Sequence, residues 1–238
     1  LTCGLLQTLL SQGLSVSSFK CGPDYIDPMF HRKVIGATSG NLDLFLLGEA
    51  GVKRCLGENG GETDVAVLEG VMGYYDGIGL TTRSSSYEVA RVTKTPVILL
   101  VDCKGMSLSV AALVSGFARF REDSGIVGVI LNRLSPALYP QLKDEVERET
   151  GVAVLGYLPK LADCALESRY LGLVTADEVE NLREKLACLG KALSQTVDVK
   201  AILQLAAQAP PLCWKEIPQA LAAPVSIGVA RDRAFCFY

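Results

Sequence analysis

"DVAVLEG" (residues 64–70) contains four consecutive apolar residues and ends on Glu69 and Gly70. A strand with one face in solvent alternates apolar and polar residues, whereas a strand that is buried on both faces does not. A short and wholly apolar run of this kind is typical of a parallel sheet that helices cover. The segment therefore predicts an interior strand of an α/β domain, with Glu69 at its carboxyl end.

Strand and helix patterns alternate on both sides of this segment. The predicted strands cover 14–20, 64–70, 95–103, 125–134 and 152–159. The predicted helices cover 1–13, 43–57, 84–94, 107–120, 136–151 and 176–207, the last with a break near Gly190. Strands that alternate with helices form right-handed βαβ units. We therefore expect an α/β fold with a mostly parallel sheet and helices on both of its faces.

The composition argues against several classes of protein. The 238 residues carry a formal net charge of −3 at pH 7, and no basic stripe indicates a nucleic-acid surface. No apolar run approaches the ~18 residues that a membrane-spanning helix needs. The eight cysteines form no CxxC pair and no cluster with His31, so we expect reduced thiols in a cytoplasmic protein.

The two ends of the chain indicate a fragment. The sequence starts on Leu1 within a helical pattern, without an initiating methionine, and residues 224–238 begin as a strand and stop. Residues 206–223 are rich in alanine and proline, which is typical of a linker. We therefore expect one domain over residues 1–205, a linker, and the first strand of a second domain.

Three loops at the carboxyl ends of predicted strands contain reactive side chains, and ligands of parallel α/β sheets bind at these ends. These side chains are acidic, aromatic, basic or amide groups: Lys20, Asp24, Tyr25, Asp27, His31, Glu69, Asp76, Asn132 and Arg133. Carboxylates from two neighbouring loops can share a hard cation such as Mg²⁺. A terminal asparagine can both donate and accept hydrogen bonds, as recognition of an adenine edge requires. The loops therefore predict a site for a metal-bound anion and its substrate.

Each of these residues also has a simpler interpretation. Asp24 and Asp27 fit turn residues that accept local backbone hydrogen bonds. Glu69 fits a solvated strand end, and His31, in a His-Arg-Lys run, fits a surface basic cluster better than a catalytic base. The glycine-rich segment after Glu69 is not a P-loop, because no Lys-Ser/Thr follows its glycines. The functional prediction therefore rests on the conjunction of the loops.

Seven segments resemble, in order, the motifs of the cobyrinic acid a,c-diamide synthase family, the glutamine-dependent amidotransferases of corrin biosynthesis. They are FKCGPDYIDPMFH (19–31), NLDLFLL (41–47), EGVMGYYDG (69–77), PVILLVDCKGM (96–106), VGVILNRL (127–134), VLGYLP (154–159) and RYLGLV (169–174). The first and third are the most specific. The first helix is similar to the segment that follows a Walker A loop, and RDRAFCFY (231–238) is similar to the opening of a glutaminase domain.

The resemblance implies a P-loop fold similar to dethiobiotin synthetase, with an ATP-dependent synthetase in residues 1–205 and a truncated glutaminase-like domain from residue 224. ATP would phosphorylate a peripheral carboxylate of the corrinoid, and glutamine-derived ammonia would displace the phosphate to leave an amide. The family's Walker A loop and glutaminase cysteine are absent from these residues, so we expect the fragment alone to be inactive. Tyr170 stands where the family usually has histidine.

The resemblance also assigns roles to individual residues. Positions that match catalytic residues are Asp24, Asp27, Glu69 and Asp76. Mg²⁺ would be held by Asp24 and Glu69. Positions that match contacts to the macrocycle are Tyr25, Ile26 and Asp76. ATP would contact Lys20 through its phosphates and Asn132 through its adenine. From charge alone, the cations that would steer a polycarboxylate are Lys20, Arg32, Lys33 and Arg83.

Two other functions remain open. The first is diamidation of a different tetrapyrrole, such as nickel sirohydrochlorin, by the same fold and loops. The second is a nucleotide-switched positioning ATPase similar to ParA and MinD, which would have no reason to carry GPDYID. A homodimer is an assembly state that the sequence leaves open.

Overall fold

The computed structural model describes residues 1–161, 164, 182–215 and 226–230, except for the side chain of Lys33. The strands are β1 (Val16–Cys21), β2 (Thr38–Leu42), β3 (Val65–Glu69), β4 (Val97–Asp102), β5 (Ile126–Asn132) and β6 (Ala153–Leu158). The α-helices are α1 (Thr2–Ser11), α2 (Ile26–Phe30), α3 (Leu44–Gly60), α4 (Ser86–Thr93), α5 (Ser109–Arg119), α6 (Tyr139–Thr150), α7 (Leu182–Thr196) and α8 (Val199–Ala206). A π-helical turn, His31–Ile35, follows α2 directly.

The strands form two parallel sheets of three strands each. The first has the order β2-β1-β3 and the second has the order β4-β5-β6. In the described residues, the two sheets are not hydrogen-bonded to each other. The prediction of a parallel α/β fold is confirmed, and the three carboxyl strand ends of each sheet point to one edge of that sheet.

Helices cover both faces of the sheets. One apolar cluster joins α5 and α6 to β4 and β5 through Val101, Val110, Val114, Val129, Leu131, Leu142 and Val146. A second cluster packs α1, α7 and α8 against the opposite face of β5 and β6, through Leu6, Leu9, Ile130, Leu155, Leu186, Leu193 and Ile202. Val65 and Val67 of β3 pack against this second cluster as well. The layer of α1, α7 and α8 therefore spans both sheets, and each fully buried leucine contributes about 1.5–3 kcal/mol.

A third apolar cluster covers the other face of the first sheet. It contains Phe19 of β1, Leu42 of β2, Val52 and Leu56 of α3, and Val89 of α4. Because successive side chains of a strand point to opposite faces, Phe19 lies under α3 while its neighbours lie on the α1 side. Ser18 and Lys20 consequently share the face that α1 covers.

The helix predicted over 176–207 is broken at a different residue from the one expected. Gly190 lies inside α7, and the break falls at Val197 and Asp198. Gly190 instead lies at a contact between α7 and α1, where its carbonyl accepts a hydrogen bond of 3.0 Å from the Thr8 hydroxyl. Asp198 starts α8 by accepting a hydrogen bond from the backbone N–H of Ala201.

Two elements were not predicted from the sequence. β2 has the sequence TSGNL, in which Leu42 alone is fully buried, so it carries no apolar pattern. Residues 26–35, expected to be loop, form α2 and the π-helical turn. Both segments follow the first predicted strand, and their conformation depends on contacts with it rather than on local periodicity.

The expectation that all cysteines are reduced is wrong for one pair. Cys164 and Cys188 form a disulfide. They are 24 residues apart in sequence, and the fold brings their Cα atoms to 6.2 Å. Sequence spacing cannot reveal a pair of this kind, because no CxxC or other short motif marks it.

Several predictions concern segments outside the described residues. These are Tyr170 and the RYLGLV segment, and the residues 216–225 and 231–238. Residues 226–230 are exposed and lie in no strand, and the domain boundaries remain a prediction. Among the helices that the structure describes, none has the length and apolar character needed to cross a membrane.

Candidate functional site

A row of polar side chains lies at the carboxyl edge of the first sheet. The parallel register sets Lys20 of β1 beside Asn41 of β2 and Glu69 of β3. All three side chains point to the face that α1 covers, because residues in register share a face. The expected convergence of the first two loops is therefore a consequence of strand pairing.

Lys20 lies at the centre of three carboxylates. Its ammonium Nζ forms a short ion pair with Asp27, and it lies 3.6 Å from Oδ2 of Asp24 and 3.5 Å from Oε2 of Glu69. The Lys20 side chain is only 7% exposed, whereas the three carboxylates are 24–42% exposed. Burial alone would lower the pKa of Lys20, but the hydrogen bond to Asp27 and the three negative charges outweigh burial and raise it. The ammonium is therefore a buried, permanently charged centre of the site.

Asp24 has two functions in this arrangement. Its Oδ1 accepts hydrogen bonds from the backbone N–H groups of Ile26, at 3.0 Å, and Asp27, at 3.2 Å. Its other oxygen faces Lys20. The local turn bonds that the sequence suggested are thus present, and they fix the carboxylate that contacts Lys20. The two interpretations of Asp24 are compatible.

Asn41 holds the same loop from the neighbouring strand. Its Nδ2 donates a hydrogen bond of 2.5 Å to the backbone carbonyl of Asp24. Sequence reasoning missed this residue as a member of the site, although it opens the segment NLDLFLL. An asparagine at the end of an unpredicted strand gives no signal of its own until the register with Lys20 is known.

Asp24, Asp27 and Glu69, the three carboxylates around Lys20, form an acidic row. His31 is buried beneath this acidic row, and the prediction that it belongs to a surface basic cluster is wrong. It is 3% exposed, whereas the adjacent Arg32 is exposed. Its Nδ1 lies 2.8 Å from the hydroxyl of Ser18, and its Nε2 lies 3.9 Å from Oε2 of Glu69. Burial lowers the pKa of His31, against the opposing effect of the Glu69 and Asp27 charges. Ser18 is a second residue of the site that sequence reasoning missed.

Some buried polar atoms on this face have no hydrogen-bond partner. In the described part of the chain they are Ser39 Oγ, Asn41 Oδ1 and Glu69 Oε2. Buried polar atoms are normally hydrogen-bonded, and exceptions tend to mark functional positions. All three of these atoms belong to side chains on the face of the first sheet that carries Lys20.

Asp76 is not part of the acidic row. It is exposed, it lies in the loop after β3, and its backbone N–H donates to the carbonyl of Gly73. It lines two neighbouring cavities of about 410 Å³ and 390 Å³. The second cavity extends to Gly22 and Pro23, next to Asp24. Asp76 therefore lies beside the acidic row and faces open clefts.

Tyr25 and Ile26 lie where the first loop becomes a helix. Tyr25 is the N-cap residue of α2 and Ile26 is its first residue, and both are partly buried. Both follow Asp24 directly, so they lie next to the acidic row.

Asn132 and Arg133 lie at the carboxyl end of a strand of the second sheet and are not part of the acidic row. Asn132 ends β5, and its neighbour in register is Asp102 of β4. Arg133 adopts a left-handed backbone conformation with φ of +57°. Its guanidinium forms an exposed ion pair with Asp102, in which Nε donates to Oδ1 at 2.7 Å. The predicted adenine contact and the acidic row thus belong to different sheets.

The donor atoms of the acidic row are the oxygen ligands that hard cations prefer. In the described residues, no three of the His, Cys, Asp and Glu side chains are grouped closely enough to hold a metal ion. Asp24 and Glu69 instead share the Lys20 ammonium. Two carboxylates are nevertheless the usual protein contribution to Mg²⁺ bound with phosphates, so this pair fits that ion.

Comparison with known proteins identifies relatives of the chain. Residues 1–174 match the family model described as the CobQ/CobB/MinD/ParA nucleotide binding domain. A cobyrinate a,c-diamide synthase of Caldanaerobacter subterraneus subsp. tengcongensis is 42% identical over 97% of this chain and 51% of that protein. The enzyme of the same name from Clostridium acetobutylicum is 41% identical over 100% of this chain and 54% of that protein. The chain thus spans about half the length of the curated relatives it matches.

Solved structures give a weaker likeness. MinD of Aquifex aeolicus, a cell division protein, superimposes with a TM-score of 0.46 and 13% identity over 90% of this chain and 92% of that chain. The motifs that resemble cobyrinic acid a,c-diamide synthases fall in the aligned residues of the curated relatives, so that resemblance is confirmed. With the family model covering most of its length, the chain belongs to the family of CobQ/CobB/MinD/ParA nucleotide-binding domains.

Proposed function

We propose that the chain carries the ATP-dependent half of a cobyrinate a,c-diamide synthase, which amidates the a and c carboxylates of a corrinoid. The observation that supports this most directly is the convergence of Asp24, Asp27 and Glu69, from two different loops, on one buried ammonium. The names of the relatives supply the substrate class. The ammonia would come from glutamine in a second domain.

The chemistry requires activation of the substrate carboxylate. A carboxylate does not transfer its acyl group to ammonia, because oxide is not a leaving group. Transfer of the γ-phosphoryl group of ATP to the carboxylate oxygen forms an acyl phosphate and releases ADP. Ammonia then attacks the acyl carbon, the C–O bond to phosphate breaks, and the amide and inorganic phosphate form while one proton leaves the nitrogen.

The side chains of the acidic row suit the phosphoryl transfer step. Phosphoryl transfer depends mainly on positioning and on neutralisation of charge. Lys20 presents a fixed positive charge to phosphate oxygens, and Asp27 holds that charge in place. Asp24 and Glu69 would hold Mg²⁺, which neutralises phosphate charge when it is bound.

Other residues would bind the remaining parts of the two substrates. Tyr25, Ile26 and Asp76 lie next to the acidic row or beside its cavities, where a macrocycle could contact them. Asn132 would contact the adenine from the edge of the second sheet. The exposed Arg32 and Arg83 would steer a polycarboxylate toward this edge.

The test uses purified full-length protein with ATP, Mg²⁺, a cobyrinic acid and either glutamine or ammonia. We expect ADP to form only when both the corrinoid and a nitrogen source are present. Asp24→Asn and Glu69→Gln should each lower kcat by about 100-fold or more, as removal of a charged transition-state contact does. The control Asp144→Asn, on the exposed face of α6, should leave kcat unchanged.

Two outcomes would contradict the proposal. ADP formation with nickel sirohydrochlorin and not with cobyrinic acid would assign the chain to a different tetrapyrrole. ADP formation at the same rate with and without the acceptor and ammonia would indicate a nucleotide switch similar to ParA and MinD.

A further inference from the structure

His31 lies between a buried hydroxyl and the buried oxygen of Glu69. Its imidazole Nδ1 is 2.8 Å from Oγ of Ser18, which is 0% exposed. Its Nε2 is 3.9 Å from Oε2 of Glu69 and 3.8 Å from Sγ of Cys3. The ring therefore has one tightly held nitrogen and one nitrogen directed at the acidic row.

The hydrogen bond between Ser18 and Nδ1, together with the carboxylate beside Nε2, favours one tautomer of His31. In the described residues, the ring nitrogen Nδ1 is the one hydrogen-bond partner of the Ser18 hydroxyl. If Ser18 donates to Nδ1, a neutral ring carries its proton on Nε2 and directs an N–H at Glu69. The opposite tautomer would direct a lone pair of Nε2 at a carboxylate oxygen, which is repulsive, and the Cys3 thiol at 3.8 Å is only a weak donor to that lone pair. A doubly protonated ring would also present Nε2–H, so the direction of this donor does not depend on the charge of the ring.

Glu69 has an unfilled place for that donor. Its Oε2 is buried and accepts no hydrogen bond in the described part of the chain, although Lys20 lies 3.5 Å away. A shift of about 1 Å, from 3.9 Å to the usual hydrogen-bond distance of about 2.9 Å, would join Nε2–H to this oxygen. Catalytic hydrogen bonds are often long without substrate and shorten when the complex forms.

The backbone at His31 holds the ring in this location. His31 begins the π-helical turn, and its carbonyl accepts hydrogen bonds from the N–H groups of Gly36, at 3.0 Å, and Ala37, at 3.1 Å. The turn ends at Gly36, whose φ of +85° is in the left-handed region that favours glycine. Single π-helical turns occur frequently at functional sites.

We propose that His31 is a positioning residue for Glu69, held by Ser18 through Nδ1 and donating from Nε2–H to Oε2 of Glu69. This donor fixes one carboxylate oxygen and leaves Oε1 for a ligand. The assignment of Glu69 to phosphoryl transfer rests on the proposed function, whereas the Ser18–His31–Glu69 arrangement rests on geometry. The two can therefore be tested separately.

The first experiment reads the tautomer of His31 by ¹⁵N nuclear magnetic resonance. The ring signals that are lost in His31→Gln assign the two ring nitrogens of His31 in the full-length protein. We expect a proton on Nε2 and a hydrogen-bonded, unprotonated Nδ1 in the neutral ring. In Ser18→Ala the hydrogen bond to Nδ1 is lost, and a second tautomer should become detectable. A proton confined to Nδ1 in the unsubstituted protein would overturn the proposal, whichever substrate the enzyme uses.

The second experiment compares two amides at residue 31. Glutamine can carry an N–H to the place of Nε2, whereas asparagine reaches only the place of Nδ1. We expect His31→Gln to keep kcat within about threefold and His31→Asn to lower it by about tenfold or more, the usual cost of losing an outer-shell partner. The KM for ATP should change little in either variant. Cys3→Ser, which alters the other neighbour of Nε2, should retain kcat.

Equal loss in His31→Gln and His31→Asn would assign His31 a packing role and overturn the proposal. Thermal unfolding of each variant shows whether it is folded, and the tautomer measurement decides the question if His31→Asn is not. A protein that makes no ADP with any corrinoid would refute the proposed function, and the tautomer would still test the positioning role.

Discussion

Lys20 illustrates how one side chain organises a site. Isolated buried charges are unstable, and the ammonium of Lys20 is stable where it lies because three carboxylates surround it. The converse also holds, since Asp24, Asp27 and Glu69 are held together against their mutual repulsion by this one cation. The same residue thus supports local structure and, under the proposed function, would provide the charge that phosphoryl transfer needs.

Lys20→Met is expected to destabilise the protein. Removal of one member of a buried ion pair costs roughly 3–5 kcal/mol, but the carboxylates here are partly exposed, so we expect about 2 kcal/mol. The measurement is the free energy of unfolding from urea titration. Lys143→Met removes an exposed pair with Glu147 and should cost less than about 0.5 kcal/mol. Equal costs for the two substitutions would show that the acidic row does not depend on Lys20.

His31 shows where residue-level inference from sequence stops. Its basic neighbours Arg32 and Lys33 suggested a surface residue, but the π-helical turn directs the imidazole into the protein. The residue types of the acidic row were predictable, because strand ends of parallel sheets are where ligands bind. The contacts of Ser18 and Asn41 were not, because they depend on register and on a turn that has no sequence signature.

Among the secondary-structure elements, β6 depends on one glycine. Gly156 has a φ of +143°, and a Cβ at this residue would lie 2.4 Å from the carbonyl oxygen of Thr196 and 2.6 Å from Cα of Val197. Both of these neighbours are backbone atoms, so they cannot move away as a flexible side chain would. The end of α7 can approach β6 this closely only because residue 156 has no side chain.

Gly156→Ala is therefore expected to destabilise the protein by about 3 kcal/mol, from backbone strain and overpacking together. Gly116→Ala, within α5, is the matched control, because its added Cβ meets no atom within 4 Å. That substitution should be neutral or stabilising by up to about 1 kcal/mol. Thermal unfolding of both variants tests the difference, and a Gly156→Ala protein as stable as the control would contradict the close contact.

Most of the strands that were predictable share one property. β3, β4, β5 and β6 are mainly apolar segments bounded by turns, whereas β1 also contains two serines and a lysine. All five were expected within a few residues of their observed limits. β2 was missed because the sheet and α3 supply its burial, while its own sequence is small and polar. The break between α7 and α8 was misplaced because Gly190, a common helix breaker, is used for contact with α1.

At the scale of the whole molecule, the helical layer of α1, α7 and α8 joins the two sheets. It contacts β3 of the first sheet and β5 and β6 of the second through one apolar cluster. The acidic row and Asn132 lie on different sheets, so a nucleotide that contacted both would depend on this layer for its geometry. The predicted fold class did not reveal this, because the sequence gives strand identity and not strand pairing.

The free energy of unfolding should fall as the pH rises above the pKa of an ordinary thiol. Burial raises the pKa of Cys3, Cys21 and Cys103 to about 11 from the ordinary value of 9.0. Between these values the unfolded chain releases thiol protons that the folded protein retains, which favours unfolding. We expect the free energy of unfolding at pH 10 to be lower than at pH 8 by about 1 kcal/mol for each buried thiol.

Urea titrations under anaerobic conditions across this range measure the effect. A protein with Cys3→Ala, Cys21→Ala and Cys103→Ala should show a flatter dependence on pH. An unchanged slope in that variant would mean that other groups account for the alkaline loss of stability.

The ammonium of Lys20 has a further consequence for how a divalent cation and a nucleotide would bind. The carboxylates already have a counter-ion, so under the proposed function a divalent cation would exchange with this partner rather than enter a site of uncompensated negative charge. Such an exchange would be most favourable when incoming phosphate oxygens contact the ammonium at the same moment, while it keeps its ion pair with Asp27. The edge of the first sheet would thereby select the ion together with its nucleotide over the ion alone.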